Sequence, residues 1–346
     1  MVDVVGIIRF SVLSTAFLPF RIHEQSESFD QICERILAPG RLAERFRLFE
    51  TITLPTLDAQ TDQAFRIVVV APRLLPEIWK RRLKYLADLR DYLVIIYEDE
   101  TNFSMRNVSP FILDEIINSN GIFYTFRMDD DDGLAMNFVE RVRKFMRPQL
   151  VDFCLSLCRE YFLDVSNSKY KVEQRIVPNL AVGFGYISSA AAPRTIFDFS
   201  ELHHRSHLRL PVITDATRDA FVAVTHDQND SGLDRRLESV EMSAGNAAQV
   251  LRSNGFAVEL EQYADFDWRL PQERIAGAIS VRPEIDTALR QGLENLRRET
   301  KQQAQIRRLR KKVKNASTSV NDRSTIPPVL RMGRFLYRKL KKIGLS

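Results

Sequence analysis

The chain has 346 residues, 45% hydrophobic and 27% charged, with 13 Gly and 14 Pro. That is the make-up of a globular protein with a sizeable core, and it excludes collagen-like, disordered and integral-membrane classes. Lys and Arg outnumber Asp and Glu by 50 to 45, a formal charge of +5, yet residues 288–346 hold 17 basic and 3 acidic residues, so +14 lies there and −9 on residues 1–287.

The longest apolar runs, such as Ile67–Ala71 and Leu93–Tyr97, fall far short of the roughly 20 residues of a spanning helix. No basic residue precedes Arg9 and the order of a secretory signal is missing, so the expected location is cytoplasmic. Cys33, Cys154 and Cys158 show no paired C-x-x-C spacing and read as reduced thiols.

Val2–Phe10 is a β-branched apolar run and reads as a first strand. Leu42, Phe46, Phe49 and Ile52 then trace a helical stripe over Arg41–Leu57, interrupted by Pro55. Phe65–Ala71 reads as a doubly covered strand, Leu75–Leu89 as a helix and Tyr92–Tyr97 as a third strand. Pro110–Asn118 predicts a helix, Ile122–Met128 a fourth strand and Leu134–Phe145 a helix. Shorter strands are expected at Asp152–Leu157, Arg175–Val177 with Leu180–Val182, Tyr186–Ile187 and Ala220–Thr225. This alternation predicts an α/β fold: a Rossmann-like, mostly parallel central sheet with helices on both faces. Leu289, Leu293, Leu296, Ile306, Leu309 and Val313 mark a basic helix, followed by a linker over 315–328. The expected division is a catalytic domain over 1–287 and a basic helical tail over 288–346.

Four aspartates, Asp129–Asp132, stand where the fourth strand ends and Gly133 turns the chain. Ligands of open α/β sheets bind outside the carboxyl ends of strands. Adjacent carboxylates there repel unless a cation neutralises them, and hard oxygen donors suit Mg²⁺ or Mn²⁺ shared with substrate phosphates. The bland alternative is a solvated acidic turn favoured by the following helix dipole. Arg9 ends the first strand and Arg127 just precedes the acids, where guanidinium forks could meet phosphate oxygens; a sheet-end ion pair is the plain alternative for either.

The order RLFETITLPTLDAQTDQAFRIVVVA, helix, strand, FYTFRMDDDDG resembles the nucleotide-sugar glycosyltransferases of the A-type fold, particularly the bacterial rhamnosyltransferase group. The resemblance covers about residues 1–235. It implies a metal-dependent glycosyltransferase that moves a sugar, rhamnose in this group, from a nucleotide-sugar donor to a hydroxyl of a glycan or lipid-linked glycan acceptor. Asp129 and Asp131 match the Asp-x-Asp element that holds the divalent ion, with Asp132 as a neighbouring ligand and Arg9 in the region lining the nucleotide pocket. Thr225–Gly232 (THDQNDSG) resembles the late His-x-x-Asn element, which assigns His226 to the metal and Asn229 to the donor; a plain loop is the alternative. The chain departs from the wider superfamily at Ala71, Pro72 and Arg73, where many members carry an acidic pair that reads the base.

His203 and His207 are four apart, but without the glutamate of H-E-x-x-H they do not read as a zinc protease. Asp198, Glu201, His203, His204 and Asp215 lie between the acid run and the late histidine in sequence, and His204 and Asp215 are the preferred acceptor bases. Phe184 and Tyr186 of VGFGY resemble an acceptor-lining strand, with a core strand as the alternative. Residues 330–343 pattern as a basic amphipathic helix suited to an anionic membrane surface, or to docking on the acidic body. Two rival readings are a nucleic-acid-binding protein acting through the tail, which leaves the aspartates unexplained, and a noncatalytic carbohydrate-binding scaffold. No nucleic-acid partner is expected.

Overall fold

The computed structural model describes residues 2–13, 28–99, 104–113, 121–166, 170–199, 207–226 and 240–263. The expected basic tail, its linker, the 330–343 segment, His203, His204 and Asn229 lie outside them.

The first half holds β1 (Val4–Arg9), α1 (Phe29–Ile36), α2 (Pro39–Leu48), a π-helical turn (Phe49–Thr53), α3 (Leu54–Asp58), β2 (Phe65–Pro72), α4 (Glu77–Asp88), β3 (Leu93–Glu98), α5 (Met105–Phe111) and β4 (Ile122–Asp129). Then come β5 (Gly133–Leu134), α6 (Phe138–Arg143), β6 (Cys154–Asp164), β7 (Lys171–Ile176), β8 (Gly185–Ser189), β9 (Val212–Thr225), α7 (Ala244–Ser253) and α8 (Leu260–Tyr263). One sheet joins the strands in the order β3-β2-β1-β4-β8-β6-β9-β5, with β7 paired to β6. The β1–β2, β1–β4, β2–β3 and β6–β9 pairs are parallel, and the antiparallel β8 between β4 and β6 leaves those two pointing the same way. The carboxyl ends of β1, β4 and β9 therefore share one edge of the sheet.

Side chains alternate along a strand, so each strand feeds two cores. Val5 and Ile7 of β1 pack with Val68, Val70 and Phe123 beneath Val108 of α5 and Ile196. Following the opposite face of β1, Phe10 meets Phe46 of α2 edge-on at 4.8 Å, and Phe46 stacks on Trp79 of α4 at 4.8 Å. α7 and α8 cover the far end, where Leu251 and Leu260 pack with Leu163, Val222 and Val224.

Several elements differ from expectation. Pro55 does not end the helix: the π-helical turn carries the chain from α2 into α3, where Pro55 stands in the first turn and its missing N–H costs nothing. The expected helix over 134–145 is instead β5 followed by the short α6, because Gly133 and Leu134 are drawn into pairing with Val222 and Phe221 of β9. β6 and β9 run to 11 and 14 residues, far beyond their apolar cores. Leu180–Val182 is not a strand but leads into Gly183 at φ +68°. α1 was not expected, although the Ser28/Gln31 capping box that starts it is written in the sequence. α7 and α8 were likewise unforeseen. α5 begins five residues before the predicted Pro110, and residues 114–120 lie outside the described set. The three cysteines are buried and unbridged. Among the described residues no helix is long and apolar enough to cross a membrane.

Candidate active site

The acid run sits at the shared carboxyl edge, and its four side chains take different environments. Asp129 is the last residue of β4 and lies in register with Arg9 of β1. Their side chains pair, Arg9 Nη2 to Asp129 Oδ1, at 3.0 Å, with the carboxylate 36% exposed. Two residues earlier on the same face, Arg127 lies over the Phe197 ring at 5.7 Å. Its Nε is buried and makes no hydrogen bond, and among the described residues no carboxylate pairs with it. Burial, reinforced by Arg9, lowers its pKa to about 10 in spite of Asp129.

The next three aspartates are buried, which corrects the reading of this run as a solvated turn. Arg45 of α2 accounts for two of them: Nη1 lies 2.7 Å from Asp131 Oδ2 and Nη2 lies 3.3 Å from Asp130 Oδ1. His226, one residue past β9, brings Nε2 to 3.2 Å from the same Asp131 oxygen and 3.5 Å from Arg45 Nη1. Burial would raise the Asp131 pKa, but Arg45 and His226 outweigh it and hold it near about 2. Asp130, fully buried, is pushed up to about 7 by desolvation and its acidic neighbours against the pull of Arg45. Asp132 is raised well above the carboxylate range by burial and by Asp131 and Asp129, and its Oδ1 accepts the Val224 N–H at 3.0 Å. That bond ties the turn to the end of β9, one residue before Thr225 and two before His226.

The stretch that carried much of the resemblance, from ETIT through LPTLDAQT, proves to be the scaffold of this turn. Thr53 Oγ1 donates to the Asp132 carbonyl at 2.7 Å and lies 3.1 Å from that of Asp130. Thr56 Oγ1 donates to the Thr53 carbonyl at 2.8 Å and accepts the Leu134 N–H at 3.1 Å. The buried Gln60 amide donates to the carbonyls of Thr56 and Ala135 at 2.9 and 2.8 Å and accepts the Val139 N–H at 3.1 Å. Sequence reasoning missed Arg45, Thr53, Thr56 and Gln60 as site residues. The helical stripe offered a signal for Arg45, a charge beside the buried Phe46, and the motif's polar letters did so for the others.

Asp215 does not belong to this site. It lies ten residues before Thr225 on β9, a bulged stretch paired with Leu157–Asp164 of β6 and so roughly 20 Å away at about 3.3 Å per strand residue, and is held by Arg141 Nη2 at 3.2 Å and by the Thr217 N–H at 2.8 Å. Its carboxyl is lowered by these bonds despite burial. Phe184 and Tyr186 are core residues, buried with Ile7 and Phe123 because β8 pairs with β4, so they do not line an acceptor groove. Arg9, Asp129, Asp131, Asp132 and His226 do gather at one edge, with Arg127 beside them.

A divalent ion can be tested against this donor set. Among the described residues no group of three His, Cys, Asp or Glu side chains converges to hold one. Asp131 and His226 nevertheless face each other across 3.2 Å, and Mg²⁺ characteristically takes one or two protein carboxylates and completes its shell from phosphates and water. The pair fits such an ion.

The sheet order and the acid turn at its carboxyl edge define an α/β protein with a mixed central sheet. Residues 3–236 match the family described as "Putative rhamnosyl transferase", and the chain belongs to that family of glycosyltransferases. Among solved structures it is similar to residues 1–349 of S. aureus TarS in complex with UDP-GlcNAc, at 12% identity over 84% of this chain and 80% of that one, with a TM-score of 0.37. The same TarS fragment in complex with UDP is similar at 12% identity over 64% of this chain, with a TM-score of 0.36. In that match the chain spans 60% of the TarS length. No curated protein matches the chain.

Proposed function

We propose that the chain transfers a sugar, rhamnose by its family's description, from a nucleotide-sugar donor to a hydroxyl of a glycan or lipid-linked glycan. The observation that carries this reading is the pairing of opposites at one sheet edge: Arg127, a guanidinium with no carboxylate partner among the described residues, stands beside Arg9 and two residues from Asp129, with the Asp131–His226 pair next in the turn. Diphosphate oxygens suit Arg127 and Arg9 because guanidinium forks match their geometry. Asp131 and His226 would hold Mg²⁺ or Mn²⁺, with Asp129 and Asp132 adjoining. Such an ion, when bound, offsets charge developing on the departing nucleoside diphosphate. Asp132 fixes the backbone before His226 through Val224, and the Thr53–Thr56–Gln60 scaffold keeps the turn from rearranging as charge moves. Asn229 is assigned to the donor and His204 to the acceptor proton, both by sequence position. The protein works at the cytoplasmic face of a membrane, where the 330–343 segment meets anionic lipid.

A panel of nucleotide sugars that includes rhamnose donors, assayed with Mn²⁺ by thermal shift and by release of nucleoside diphosphate, tests the reading. One donor should raise the melting midpoint and yield free diphosphate with acceptor present. A flat panel would refute it.

A further inference from the structure

The atoms that a divalent ion would need are already in contact with a cation of the protein's own. Arg45 Nη1 lies 2.7 Å from Asp131 Oδ2 and 3.5 Å from His226 Nε2, and those two atoms are 3.2 Å apart. Its second nitrogen, Nη2, lies 3.3 Å from Asp130. The side chain is 10% exposed and rises from a helix whose next residue, Phe46, is locked between Phe10 and Trp79. Arg45 is therefore held in place by core packing as well as by its charges.

Resting on the reading of Asp131 and His226 as the ion's ligands, we infer that Arg45 is the resident counter-cation of this site and competes with the divalent ion for the same lone pairs. A guanidinium is permanently protonated and can only donate, so while Nη1 donates to Asp131 Oδ2 at 2.7 Å that oxygen is engaged. Two buried carboxylates, Asp130 and Asp131, would repel strongly without it. Arg45 keeps the metal-free site assembled at the cost of weak affinity for the metal alone. The ion then binds well only when a nucleoside diphosphate brings further oxygen ligands. Arg45 is a positioning residue in this scheme and makes no contact with the transferred sugar.

Titration of Mn²⁺ alone into the full chain, by calorimetry and by the electron paramagnetic resonance signal of free Mn²⁺, tests this without turnover. Arg45→Gln should bind Mn²⁺ at least tenfold tighter than wild type, melt lower in EDTA, and regain its midpoint with Mn²⁺. Arg45→Lys, which keeps the charge, should stay near wild type. Because Arg45→Gln leaves Asp130 buried without its partner and can fail to fold, the double variant Arg45→Gln/Asp130→Asn removes that charge too and should show the same tighter binding. Unchanged or weaker Mn²⁺ affinity in whichever folded variant is obtained overturns the proposal, as does a lysine variant that binds as tightly as the glutamine one. Adding Asp131→Asn separates the two readings. Mn²⁺ binding that survives it puts the ion elsewhere and overturns both, whereas binding that is lost, in variants no tighter than wild type, overturns the role of Arg45 alone.

Discussion

Among single residues, Arg127 and Asp215 show opposite relations between charge and surroundings. Arg127 has a desolvated guanidinium that pairs with no carboxylate among the described residues and that Asp129 offsets only in part, so removing it should spare stability and harm ligand binding. Hydrogen bonds to charged groups are worth about 1.5–3 kcal/mol, and Arg127→Ala should weaken donor binding by about 10- to 100-fold with an unchanged melting midpoint, as calorimetry and a thermal melt would record. Asp215 is fully engaged by Arg141 and Thr217, far from the acid turn. Asp215→Asn should retain transferase activity and lose on the order of 1–2 kcal/mol of stability at neutral pH. The sign of its pH dependence follows from the lowered folded pKa. Its contribution is complete above the unfolded carboxylate value of about 3.9 and disappears as pH falls through the lower folded value. The gap between wild-type and variant melting midpoints should therefore be wide at pH 7 and close towards pH 2.

At the level of elements, the acid turn is held by a segment 75 to 79 residues earlier in the chain. Replacing Gln60 by Leu removes three buried hydrogen bonds and leaves the Thr56 and Ala135 carbonyls and the Val139 N–H to find other partners. Each such loss costs about 1–3 kcal/mol. Gln60→Leu should unfold at clearly lower urea, by at least about 3 kcal/mol, and lose turnover through a displaced turn; a fully active, equally stable variant would contradict the scaffold. The same segment shows what the letters could and could not reveal. The strands of the parallel half were legible because Val4–Ile8, Ile67–Ala71 and Leu93–Tyr97 are continuously apolar, as burial on both faces requires of the first two; β3, at the sheet edge, buries only Leu93 fully. β9 was legible only over Ala220–Thr225, since its first half carries Asp215, Arg218 and Asp219 and offers no apolar run. Arg9 and the aspartates stood out at strand ends. Arg45 did not, because its role depends on α2 packing across the sheet edge from β4, a long-range fact that no local pattern encodes. The misplacement of Asp215 arose likewise from treating nearness in sequence as nearness in space, along a strand that turned out to be 14 residues long.

For the molecule as a whole, charge is divided unevenly along the sequence. Residues 1–287 carry −9 and include the acid turn, whereas residues 288–346 carry +14. Basic residues near an anionic leaflet contribute about 1 kcal/mol each, so deletion of 288–346 should release the protein from vesicles containing anionic lipid. Transfer to a short soluble acceptor should persist, while transfer to a membrane-bound one should slow; cosedimentation and paired acceptor assays would record both. Equal vesicle binding by the truncated chain would assign the tail another role.

The bond from the Val224 N–H to Asp132 has a further consequence, in the arithmetic of spacing. His226 reaches Asp131 because it lies two positions past a point pinned to the turn, with one residue between. Successive side chains of a strand point to opposite faces, so a slip of one residue would present the neighbour of each inward side chain in its place. Deleting the single residue Thr225, which stands between the pinned Val224 and His226, with every aspartate, arginine and histidine of the site retained, should therefore abolish Mn²⁺-dependent donor binding. The site is specified by a count of residues as much as by their identities, and homologous chains could lose it through a one-codon deletion that leaves each of its side chains in the sequence.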